Sequence, residues 1–103
     1  MSYAQPVERA ALIKGFRALA DFLEANPDVP APSYTDVYTF PPNGECAEMR
    51  AEIDAIAGLL GSQARETASR QHYTVTRSFG PVEYRAVAIC KDHQHGNAEE
   101  VPQ

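Results

Sequence analysis

Two stretches of the chain repeat apolar residues at the helical period. Leu12, Phe16, Leu19 and Leu23 stand at i, i+4, i+7 and i+11, and Ile13 and Ala20 widen the stripe, so the pattern predicts a first helix over 6–26. Pro6 suits its first turn, where a missing N–H costs nothing, and Asn26 followed by Pro27 is a stop signal. Gly15, inside this helix, costs about 1 kcal/mol relative to Ala, which points to a close packing contact there. Met49, Ile53, Ile56 and Leu60 repeat the same spacing in a second helix. Asn43 is its expected N-cap, Glu45 and Glu48 suit the positive end of its dipole, and Gly61 can close it.

Between and after the helices the period changes from 3.6 to 2. After the proline-dense connector PDVPAPS, the β-branched and aromatic run YTDVYTF predicts a strand. Tyr34, Asp36, Tyr38 and Phe40 lie on one of its faces, and Thr35, Val37 and Thr39 on the other. GSQARETASR reads as a polar, flexible connector. QHYTVTRSF and VEYRAVAIC then flank Gly80-Pro81 as a hairpin, with Gly80 taking the positive φ of a two-residue turn. This register pairs Phe79 with Val82, Arg77 with Tyr84, Val75 with Ala86 and Tyr73 with Ala88. The opposite face carries Thr76, Ser78, Glu83 and Arg85.

The expected fold is therefore α+β: a two-layer sandwich of order α-β-α-β-β, with both helices on one face of a three-stranded sheet that ends in the hairpin. One domain is expected over 1–92, followed by a polar tail over 93–103. The length of 103 residues suits one small core.

Charge narrows the function classes. Nine bases against fourteen acids leave 9 − 14 = −5, a balance that discourages polyanionic partners. No apolar run approaches a membrane span, and MSYAQPVERA lacks the basic and apolar segments of a secretory signal. A cytoplasmic protein with reduced thiols is the resulting expectation.

The segment AICKDHQHGN gathers Cys90, His93 and His95, and Cys46 supplies a fourth soft ligand upstream. The two histidines fall in a polar tail with nothing to hold a second layer of support, and Cys90 continues a strand face that points coreward, so no metal site is expected. Cys46 sits in the first turn of a helix beside Glu45 and Glu48, which oppose a reactive thiolate. His72 has no evident Asp or Ser partner. No phosphate-binding loop, dinucleotide fingerprint or nucleophile elbow occurs, so neither an enzyme nor a cofactor is expected.

The remaining candidate is a surface. Tyr34, Tyr38, Tyr84, Arg77 and Arg85, with Tyr73, make the strands rich in the side chains that anchor protein interfaces. The expectation is a protein-binding accessory protein, its partner another protein or a second copy joined at an exposed strand edge. The alternative is weak single-stranded nucleic-acid binding through Arg65, Arg70, Arg77 and Arg85. A metal- or thiol-dependent enzyme comes third.

GFRALADFLEANPDVPAP and FGPVEYRAV together resemble small proteins of actinobacteria and their phages, a group to which no activity is assigned. The resemblance covers roughly residues 12 to 90. It implies the same sequence of helix, proline-rich turn, strand, Ala-rich helix and strand pair closing on a cysteine. It carries over no catalytic residue. Similar sequences often run on past that cysteine, which implies a further C-terminal element.

Overall fold

A computed structural model of the protein describes residues 3–67 and 72–90. Helix α1 spans Pro6–Ala25 and helix α2 spans Cys46–Leu60. Four strands, β1 (Thr35–Thr39), β2 (Arg65–Glu66), β3 (His72–Phe79) and β4 (Val82–Ile89), form one mixed sheet in the order β1-β4-β3-β2. The α+β class agrees with the sequence. The sheet has a fourth strand that the sequence reading did not contain, because Arg65 and Glu66 pair with Thr74 and Tyr73 inside what reads as a connector. A two-residue strand has no room to show an alternating pattern; backbone pairing alone defines it.

The hairpin forms in the expected register, from Phe79↔Val82 to Tyr73↔Ala88 and on to His72↔Ile89. Gly80 closes it at φ 65, and the Pro81 carbonyl accepts a hydrogen bond from the Thr35 N–H at 3.0 Å, tying the turn to the start of β1. β1 then runs parallel to β4, with Val37 opposite Tyr84 and Thr39 opposite Ala86. Since β2 and β4 both run antiparallel to β3, β1 and β2 point the same way, and α2 is the crossover between these outer strands.

α2 begins two residues later than expected. Its N-cap is Glu45 rather than Asn43, and the Glu45 N–H donates to Glu48 Oε1 at 3.1 Å, so a carboxylate three residues on does the capping. Gly61 ends the helix in the left-handed region, at φ 69. The inner face of α2 supplies Ile53 and Ala57, which close over Val75, Ala86 and Ala88, with Met49, Ile56, Leu60, Tyr73 and Tyr84 around them. Small alanines on β4 let the helix approach the sheet closely. Arg50 fixes the far edge: it bridges Glu66 of β2 at 2.8 Å and lies 4.1 Å from the centre of the Tyr73 ring.

Cys46 and Cys90 form a disulfide, with Cα atoms 5.3 Å apart. This corrects the expectation of reduced thiols. Spacing along the chain separates the two cysteines by 44 residues, and only the docking of the α2 N-terminus over the end of β4 brings them together.

The second correction concerns α1. It was expected beside α2 on the sheet, yet no residue of α1 is buried and none joins the core. The core is closed by α2 over β3 and β4, and the hairpin end of the same face, with Phe79 and Val82, stays exposed. The helix itself forms as read: Gln5 caps it, the Gln5 N–H donates to Glu8 Oε1 at 2.8 Å, and the Asn26 side chain donates to the Phe22 carbonyl at 2.9 Å. The expected tail over 93–103 lies outside the described residues.

Candidate functional site: an open sheet face and an uncovered helix

Alternation in the strands divides the expected surface between two faces. Tyr34, Tyr38 and Arg85 lie on the face away from α2, together with Asp36, Phe40, Ser78 and Glu83. Arg77 and Tyr84 face one another across the hairpin on the α2 side, where Tyr84 packs at the margin of the core. Arg77 is exposed and its guanidinium stands 5.3 Å from the Phe79 ring centre. The five residues are thus two separate groups.

The open-face group is a closed polar network. Tyr34 donates to Asp36 Oδ1 at 2.8 Å, and Tyr38 donates to Asp36 Oδ2 at 3.4 Å. Arg85 Nη2 lies 3.6 Å from Asp36 and 2.7 Å from Glu83, whose other oxygen accepts from Ser78 Oγ at 2.8 Å. The hydrogen bond to Asp36 raises the Tyr34 phenol above its ordinary range. Burial works against the Arg85 charge, but the Tyr34 hydrogen bond and the charges of Asp36 and Glu83 outweigh it and raise its pKa. Arg85 Nε is buried with no hydrogen-bond partner. Beside the network is a recess of about 500 Å³ lined by Ser62, Gln63, Arg65, Thr74, Thr76 and Arg85. Two acids held on one guanidinium leave this face without net positive charge, which disfavours phosphate contacts. Tyr38 and Phe40 stack at 6.1 Å alongside it.

The rest of the expected candidates sit as follows. Cys46 and Cys90 are joined to one another, so neither is a thiol nucleophile in this state. His93, His95 and Arg70 lie outside the described residues. Among the described residues no group of three or more His, Cys, Asp or Glu is arranged to hold a metal ion, and no helix is long and apolar enough to cross a membrane.

The feature that sequence reasoning missed is the exposure of the apolar side of α1. Leu12, Phe16 and Leu19 of the stripe are 51, 45 and 55% exposed, Phe22 beside it is 51% exposed, and Leu23 is half-buried. The stripe was legible; its lack of cover was not, because periodicity reports which face is apolar and not what lies against it. Val7 and Ile13 of α1, and Val29 and Tyr34 in the segment after it, are exposed as well. No protein-family model matches the chain, no curated protein matches its sequence, and no solved structure matches its fold.

Proposed function

We propose that this chain is a small binding protein rather than an enzyme, and that it works by docking to protein through the apolar face of α1. The observation that carries this reading is the row of large apolar side chains on a helix with no buried residue. An exposed amphipathic helix is the anchor of one recurrent recognition mode, in which an apolar face meets a complementary apolar surface. The Tyr and Arg side chains of the open sheet face are already engaged with Asp36 and Glu83, which makes them a rim rather than an anchor. The same pairing, with the −5 charge, argues against the single-stranded nucleic-acid alternative.

The cytoplasmic expectation rested on the lack of a secretory signal and of a membrane span in the sequence, and reduced thiols followed from it. The Cys46–Cys90 bond supports instead maturation in a compartment where disulfides persist. The likeness to actinobacterial and phage accessory proteins remains compatible with a binder that carries no chemistry of its own.

A photoreactive benzoylphenylalanine at position 16, with the same group at Ala10 as a control on the polar face between Arg17 and Asp21, tests the reading in producing cells. Protein adducts from position 16 and few from position 10 are the expected result, read by mass spectrometry. Absence of adducts from position 16 rejects α1 as a docking element.

A further inference from the structure

We propose that the partner of α1 is α1 of a second copy of this chain, packed antiparallel; this rests on the reading of α1 as the docking element. Three observations support it. First, a helix without tertiary cover has little to hold it. Isolated helices of this length are marginal in water, and α1 also carries Gly15 and the β-branched Val7 and Ile13. Something must cover α1 for its helix to persist.

Second, α1 is complementary to itself in one register. Leu12, Phe16, Leu19 and Leu23 have the alternating four-three-four spacing of a two-helix seam. Antiparallel pairing sets Leu12 against Leu23 of the other copy and Phe16 against its Leu19. The flanking positions then match large to small: Phe22 meets the other copy's Gly15, and Ile13 meets its Ala20. A Cβ built on Gly15 touches nothing within 4 Å in the single chain, so the glycine has no use there; in the pair it makes the notch for Phe22. No charged residue occupies a flanking position of this seam.

Third, the charges fit this orientation. Positions 6–15 hold Arg9, Lys14 and Glu8, or 2 − 1 = +1, and positions 16–25 hold Arg17, Asp21 and Glu24, or 1 − 2 = −1. Antiparallel packing lays each positive half on a negative half and opposes the two helix dipoles; parallel packing does neither. α1 is neutral while the whole chain carries −5, so it is also where two copies approach without repulsion. A membrane surface is less suited, since the polar face of α1 mixes acids with bases instead of presenting Lys and Arg alone.

The test is sedimentation equilibrium of the oxidised full chain from about 1 to about 200 µM, with circular dichroism at the same concentrations. Twice the chain mass at the upper end is expected, with helicity rising as dimer forms. Leu19→Glu places a charge at the seam centre while keeping a good helix former, and is expected to be monomeric. Gly15→Leu improves helix propensity yet fills the notch, and is expected to raise the dissociation constant about tenfold. A wild-type chain that stays monomeric throughout overturns the inference, and so does a dimer that both variants leave unchanged. If the purified chain is monomeric while position 16 still crosslinks other proteins in cells, the self-pairing fails and the docking role of α1 stands. If position 16 crosslinks nothing, both fall.

Discussion

Individual side chains here are explained by what they meet across the fold. Tyr3 precedes α1 and donates to Glu52 of α2 at 3.2 Å, and burial followed by the Glu52 charge pushes its phenol up to about 12. Tyr73 donates to Asp54 at 2.6 Å, and that hydrogen bond raises its pKa too. Both folded values lie above the unfolded ones, so these contributions are complete below about pH 10 and are lost above it, that of Tyr3 as pH rises toward about 12. Thermal melts are therefore expected to fall steeply across that window. In Tyr3→Phe the fall is shallower, because one of the raised phenols is gone; identical slopes would show that Tyr3 is not held on Glu52. The apolar-set alternation of β3 and β4 was plain in the sequence, as was the grouping of Tyr34, Asp36 and Tyr38 on one face. That Arg85 would share Asp36 with two phenols was not, because it requires β1 to lie beside β4.

At the scale of elements, local chemistry and structure agree most closely at the ends. Gly80 and Gly61 both sit at positive φ, where a side chain is strained, and both were legible as turn and cap from residue type. Gly80→Ala is expected to cost about 1–2 kcal/mol in urea unfolding, because the hairpin turn must keep its geometry to hold both the register and the Thr35 contact. An unchanged midpoint would mean that the turn relaxes freely. The capping of α2 by Glu45 and Glu48 was half-legible: Glu48 stood out for the dipole, but Asn43 has the better intrinsic N-cap preference. The chain enters the helix two residues later than that preference suggests, where the Glu48 carboxylate can reach back to a backbone N–H. β2 was hidden for a different reason. Its pairing with β3 satisfies backbone groups whatever the side chains are, so nothing in residue type marks it.

The whole molecule is a small core with a covalent clasp and an uncovered arm. Ile53, Ala57, Val75, Ala86 and Ala88 make up the central cluster, a modest set for a chain of this length. The Cys46–Cys90 bond closes a 44-residue loop around it, and such a loop is worth about 4 kcal/mol by restricting the unfolded chain. Reduction is expected to lower the unfolding free energy by about that amount, measured by urea denaturation with and without dithiothreitol. A midpoint unmoved by reductant would indicate that the two sulfurs are not joined in solution. Loss of the clasp should leave α1 self-association intact, since neither cysteine lies in α1.

By itself the sequence determined the local elements: two helices, the hairpin with its register, and the caps and turns, because periodicity, proline and glycine act over a few neighbouring residues. Tertiary structure decided the rest. It set β1 parallel to β4, recruited β2 as an edge, brought Cys46 to Cys90, and left α1 outside the core. Each of these depends on contacts between segments far apart in the chain, which are settled only when all the elements are present at once. An apolar stripe is the same stripe whether it is buried or bare, so the feature on which the proposed function rests became visible only once α2 was seen to close the core without α1.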